Sequence, residues 1–219
     1  MVGNDRKCEV QLKIGLPRLP LLIFMLMVLG SLLIGFSVIY EILATHGRGE
    51  YLHLENEFVK IKFPRNWFAY SWDNKNSTGE VYSVYLAPPK LMALIIFRIY
   101  DKNATQNFME KHDLPDALSI VTFETERMYN WICSKNENAS LIVRETGEVV
   151  VLGNQANYSK VIIKDGIKSN GAFHNLSFLM ISYIEDQKLI EIAFWGAKED
   201  VEKTSDVFKA ILNSTEIKV

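Results

Sequence analysis

Leu19 to Tyr40 is a run of 22 residues without a charged side chain. At about 1.5 Å rise per residue, a helix of that length spans roughly 30 Å, the thickness of the hydrocarbon core of a bilayer. Arg18 and Glu41 bracket the run, and Pro17 and Pro20 lie at its start, where a helix tolerates proline. Residues 19–40 therefore read as a transmembrane helix and residues 1–18 as a tail before it. Arg6, Lys7, Lys13 and Arg18 precede the run, whereas only Arg48 and Lys60 follow within about 20 residues. That asymmetry predicts a single-pass protein of the cell membrane, with a cytoplasmic N-terminus and an extracytoplasmic remainder. A cleaved signal peptide is the alternative, with Ala44 as a cleavage point. Its apolar core would ordinarily be about 7–15 residues, so an uncleaved signal-anchor is the reading preferred. Gly30 and Gly35 stand five apart and do not form the small-xxx-small spacing of a helix dimer.

Two other features agree with this topology. Asn-x-Ser/Thr occurs at Asn76, Asn103, Asn138, Asn157, Asn175 and Asn213, all beyond the apolar run. The chain's 15 Asn and 22 Ser+Thr would give about 1.5 such triplets by chance. The first five are candidates for N-glycosylation; Asn213 falls in a predicted helix and is the weakest. The two cysteines, Cys8 and Cys133, flank the membrane segment, so the bilayer keeps them from pairing within one chain. Cys133 lies in a helical stretch and reads as a buried free thiol.

Residues 41–50 carry two glycines and a histidine with little apolar pattern and read as a juxtamembrane linker. Residues 51–219 are enough for one domain that folds without disulfides or metals. They hold 19 Lys+Arg and 22 Asp+Glu, so the basic face that nucleic acid requires is not expected. Phe58–Phe63 alternates as a strand, with Val59, Ile61 and Phe63 on one face, and Pro64 ends it. Further strands are predicted at Trp67–Trp72, Val81–Ala87 and Leu91–Tyr100, with a polar loop at Asp73–Gly79. Leu94-Ile95-Ile96-Phe97 is apolar on both faces, which predicts a central strand. Helices follow, one capped by Asn103 and running to Lys111, the next from Asp116 to Ser134. Ser140–Glu145 and Glu148–Leu152 flank Thr146-Gly147 as an expected hairpin. Ala156–Lys164 is another strand, and Asn170-Gly171 is a tight-turn dipeptide. Leu176–Ile184 and Lys188–Trp195 form a hairpin around Glu185-Asp186-Gln187. A last helix over Glu199–Ser214 buries Val201, Thr204, Phe208, Ile211 and Leu212. Strands in hairpins with segregated helices predict an α+β domain around an antiparallel sheet.

Asn56-Glu-Phe-Val-Lys-Ile-Lys-Phe-Pro-Arg-Asn-Trp67 resembles the opening strand and turn of PsbP-like domains. Gly153-Asn154-Gln155-Ala156 resembles the start of that family's mid-domain strand. Ile190-Glu191-Ile192, followed by an acidic helix start and Phe208, Ile211 and Ser214, resembles its C-terminal part. The resemblance covers about residues 51–219 and implies an α/β/α sandwich with a central antiparallel sheet. It also implies an accessory role, since PsbP proteins are extrinsic subunits of a membrane complex. The motifs concerned are structural rather than catalytic.

No catalytic signature is present: no Gly-x-Ser-x-Gly elbow, Walker loop, Gly-x-Gly-x-x-Gly, His-x-x-x-His or Cys-x-x-Cys. His53 with Glu55 is the one local pair with metal-ligand chemistry, and two solvated polar residues explain it as well. No catalytic, cofactor-binding or metal residue is assigned, and no cofactor is expected. Trp67, Tyr70 and Trp72 are candidate binding aromatics, with core packing as the simpler reading. Two function classes follow. One is a non-enzymatic, membrane-anchored extracytoplasmic module, a subunit or assembly factor of a membrane complex, touching lipid through residues 19–40. The alternative is an extracytoplasmic enzyme or small-ligand receptor with a site of scattered residues. A deep pocket with converging ionisable groups would favour the alternative, and a shallow apolar patch the first.

Overall fold

The computed structural model describes residues 51–218. The tail, the transmembrane reading of 19–40 and the linker lie outside the described residues. Among the described residues no helix is long and apolar enough to cross a membrane.

Within the described residues ten strands and three helices follow one another in the order β1 (Tyr51–Glu55), β2 (Val59–Pro64), β3 (Phe68–Asn76), β4 (Gly79–Ala87), β5 (Ala93–Tyr100), α1 (Lys102–His112), α2 (Ala117–Lys135), β6 (Ser140–Val151), β7 (Asn154–Ser169), β8 (Ala172–Glu185), β9 (Lys188–Ala197), α3 (Lys198–Asn213) and β10 (Glu216–Ile217). Seven strands form one sheet in the order β3-β4-β5-β9-β8-β7-β6, every neighbour antiparallel. A small sheet, β1-β2-β10, is antiparallel too. The expected α+β class with a mainly antiparallel sheet and few helices holds.

Strand alternation sends successive residues to opposite faces. On the front face, Ile96, Val161, Ile163, Phe178, Met180 and Ala193 pack with Val121 and Ile132 of α2. Tyr100 and Leu189 pack with Ala104 of α1 and Ile120 of α2. On the back face Phe194 stacks on Phe208 of α3, ring centroids 4.5 Å apart. Phe58, beside β2, stacks on Tyr82 of β4 at 4.8 Å, which sets the small sheet on the back as well. Every residue of β5 from Ile95 to Phe97 is buried, as its two-sided apolar pattern predicts.

Several boundaries differ from the sequence reading. Asp101, not Asn103, caps α1, its carboxylate accepting from the Ala104 amide at 2.7 Å. Asp116 caps α2 in a reciprocal box with Ser119. The expected loop over Asp73–Gly79 is mostly strand, since Asp73 to Asn76 pair with Tyr82 to Gly79; polar side chains suit an edge strand. No turn forms at Thr146-Gly147. These residues pair with Ser159 and Tyr158 inside one long strand, β6. The Tyr158 ring covers Gly147, where a Cβ would lie 2.9 Å from a ring carbon. The turn falls instead at Leu152-Gly153, both with positive φ, as does the predicted Asn170-Gly171 turn.

Gly196 in β9 has φ +156°, and a Cβ there would collide with the Met92 carbonyl. Replacing Gly196 by Ala should lower stability by about 2 kcal/mol or more, through strain and displacement of that backbone. Phe208→Ala should cost about 3–5 kcal/mol by emptying a buried aromatic site. Urea denaturation of residues 48–219 measures both.

Candidate functional site

Two charged residues interrupt the apolar central strands, Arg98 in β5 and Glu191 in β9. They face each other directly across the ladder, so both point to the front. Arg98 Nη1 donates to Glu191 Oε2 at 3.3 Å and lies 3.8 Å from Glu124 Oε2 on α2. Arg127, one turn further along α2, donates to the same Glu124 oxygen at 2.6 Å. The Tyr100 hydroxyl donates to Glu191 Oε2 at 2.9 Å. Glu191 is 1% exposed and Glu124 5%. The second oxygen of each carboxylate is buried without a hydrogen-bond partner among the described residues, as is Trp195 Nε1. The Arg98 side chain keeps 27% of its surface and Arg127 keeps 54%.

Burial is the main force lifting the Glu191 carboxyl, to about 7, and the nearby Glu124 adds to it. Arg98 and the Tyr100 hydroxyl pull it back. Burial works to discharge Arg98, but Glu191, Tyr100 and Glu124 together hold its guanidinium above the usual arginine range. Burial followed by the Glu191 charge pushes the Tyr100 phenol well up.

Arg98, Glu124 and Arg127 of this cluster line a cleft of about 360 Å³ between α2 and the sheet, and Glu191 lies behind Arg98. Its walls are apolar: Met128 and Trp131 from α2, Phe178 and Met180 from β8, Ala193 and Trp195 from β9. The solvent-reachable polar groups here are therefore guanidinium donors, while the acid oxygens lie behind them.

The candidate aromatics divide. Trp67 is buried in the turn after β2, its amide donating to the Pro64 carbonyl at 3.0 Å. Tyr70 and Trp72 are exposed on the edge strand β3, and Phe68 joins them on the same side. Their partners Ala87, Tyr85 and Ser83 lead through the ladder to Ile96 and Arg98, so this row lies on the front face beside the cleft. Tyr85 bridges the two, 6.1 Å from the Tyr70 ring and packed against the core under α2.

Among the sequon residues, Asn76, Asn103 and Asn138 are exposed. The Asn76 side-chain oxygen accepts from both the amide and the hydroxyl of Thr78. Asn157 and Asn175 are half-buried within β7 and β8, and Asn213 is exposed at the last residue of α3. Cys133 is free and half-buried, its thiol 3.9 Å from the Ala139 carbonyl. Glu55 is held by Lys218 at 3.0 Å and by Lys60 at 4.0 Å. Among the described residues no group of three or more His, Cys, Asp or Glu is placed to hold a metal.

The sequence reading did not single out Arg98, Glu124 or Glu191. The signal was there: a lone cation and a lone anion, each inside an apolar strand that must be buried on both sides.

No family model and no curated protein matches this chain. Among solved structures it is similar to the solution structure of cyanobacterial PsbP (CyanoP) from Synechocystis sp. PCC 6803. The identity is 13% and the TM-score 0.44, over 79% of this chain and 95% of that one. It is also similar to PA94 from Pseudomonas aeruginosa, described as a protein of unknown function and putative regulator. There the identity is 9% and the TM-score 0.31, over 74% of this chain and 93% of that one.

Glu191 binds its proton more tightly folded than unfolded, so stability from this group is complete at acidic pH and lost as pH rises from about 4.5 to about 7. The effect is on the order of 3 kcal/mol at most. Glu191→Gln should flatten that part of the stability profile of residues 48–219, measured by urea melts between pH 4 and pH 8.5. An unchanged slope would place the raised acid elsewhere.

Proposed function

We propose that this is a membrane-anchored, single-pass protein whose PsbP-like extracytoplasmic domain binds a small amphipathic ligand and does no chemistry on it. The observation that carries the reading is the cleft under α2, where apolar walls meet Arg98, Arg127 and Glu124, with Glu191 paired to Arg98 behind them. A cavity of a few hundred Å³, mostly apolar with a few fixed polar groups, is the usual form of a small-molecule site. The two glutamates are poorly suited to catalysis. A general acid or base must come within hydrogen-bond reach of its substrate, and their free oxygens are shut off from solvent. The anchor and the outward placement rest on the 22-residue apolar run, the basic tail before it and the six sequons after it.

The row Phe68, Tyr70 and Trp72 supports a second reading, an accessory subunit docking on another protein of its membrane. Rigid exposed aromatics on one face are strong contact residues.

One experiment separates the readings. The full-length protein is purified from its native membrane in mild detergent and analysed by native and small-molecule mass spectrometry. Its Ala193→Leu and Tyr70→Ser/Trp72→Ser variants are treated alike. A small molecule carried by wild type and by the aromatic variant, but lost when the larger side chain of Ala193→Leu fills the cleft, is the expected result. A stoichiometric protein lost only with the aromatic row would establish the accessory role instead. Wild type that carries neither would overturn both. Protection of residues 51–219 from protease added outside intact cells would overturn the outward placement.

A further inference from the structure

Glu191 and Glu124 are nine-tenths or more buried, and each turns one oxygen toward no partner among the described residues. Around Glu191 stand Arg98 and Tyr100 from β5, Glu124 and Arg127 from α2, and the uncharged Ser182 from β8. Two acids share two guanidinium groups, so the cluster is neutral with both acids ionised and carries one positive charge when Glu191 is protonated. What remains open toward the cleft is cationic: Arg98 uses one nitrogen for both acids, and Arg127 is half-exposed. A guanidinium presents five donors in a planar fork that matches a carboxylate. The apolar walls begin directly beside it.

From this arrangement we infer that the cleft takes the carboxylate end of an amphipathic acid, its tail between Trp131, Met128 and Trp195, and that Glu191 takes up one proton as it does so. The inference rests on the reading of the cleft as a ligand site. An anion arriving at Arg98 and Arg127 competes for the charge that favours ionised Glu191. It also adds a negative field beside a carboxyl that burial already disfavours as an anion. Glu191 then holds a proton, and the cluster's one surplus positive charge neutralises the ligand. Binding and protonation reinforce each other, so affinity rises as pH falls toward neutrality.

The test uses the full-length chain in lipid nanodiscs, with empty discs as the blank. Octanoate, octanol and octyltrimethylammonium are titrated while tryptophan fluorescence reports from Trp131 and Trp195. The expected result is saturable octanoate binding at least tenfold tighter than either control and severalfold tighter at pH 6.5 than at pH 8.5. Calorimetry in two buffers of different ionisation enthalpy should show proton uptake approaching one per octanoate at pH 8. Ala193→Leu should abolish the signal. Arg127→Gln, which keeps an amide donor beside Glu124, should erase most of the preference for octanoate over octanol, with a urea melt confirming that the variant is folded. Octanol binding as tightly as octanoate, yet still abolished by Ala193→Leu, would overturn the carboxylate inference and leave the ligand site standing. Octanoate binding without proton uptake would overturn the coupling. A signal indifferent to Ala193→Leu would be partition into the bilayer and would overturn both the inference and the ligand reading beneath it.

Discussion

One guanidinium constrains the arrangement of the sheet and its covering helix. Arg98 sits inside an apolar strand in the middle of a seven-stranded sheet, where an unpaired charge is costly. It is tolerated because Glu191 stands directly across the ladder and Glu124 reaches down from α2. Slipping β5 against β9 by one residue would send Arg98 or Glu191 to the back face, among Phe97, Ile192 and Phe194. Removing one member of such a set usually costs about 3–5 kcal/mol, because the other charge is stranded. The same net would be no stronger than a well-packed apolar core. Its contribution is therefore better described as fixing register and seating α2 than as added stability.

The two faces of the sheet are finished differently. On the back, α3 and the small sheet spread from β8 to β4. On the front, α2 lies over β7 and β8, and α1 over the ends of β4, β5 and β9. Among the described residues, no helix covers the stretch of β3 and β4 carrying Phe68, Tyr70, Trp72 and Tyr85. Aromatic side chains are good strand formers and tolerate partial exposure. Local preference therefore agrees with the fold even where burial is incomplete. The cleft is lined by α2 and by strands β5, β8 and β9, so its shape follows from the placement of α2 over the sheet.

The strongly patterned parts of the chain were legible from sequence. The alternation of Val59, Ile61 and Phe63, the doubly apolar β5, the stripe of α3 and the Asn170-Gly171 and Asp186-Gln187 turns all have local causes. The misassigned parts needed tertiary information. Thr146-Gly147 has turn chemistry, but a tyrosine ring from the next strand fills the space above the glycine and holds it in the ladder. Asp73 to Asn76 are polar because they edge a sheet, not because they form a loop. Trp67 and Tyr70 share a type and a neighbourhood in sequence, yet the turn at Pro64 puts one in the core and the other in solvent. The charged cluster joins residues 26 and 67 positions apart. Only the pairing of β5 with β9 and the crossing of α2 bring them together.

The far edge of the sheet shows how a fold can guard itself. β6 is a 12-residue outer strand whose Leu141, Ile142 and Val143 are exposed, the kind of border that recruits other chains by continued strand pairing. Its register with β7 shifts at that point: Leu141 faces Ile163 and Val143 faces Ile162, with Ile142 left over as a bulge. A bulge twists the strand and breaks the even comb of free amides and carbonyls that an incoming strand would need. The irregularity falls on the three consecutive exposed apolar residues of the border. A second chain arriving there meets the right side chains on the wrong lattice, so the edge resists fibrous self-association while keeping its hydrophobic residues.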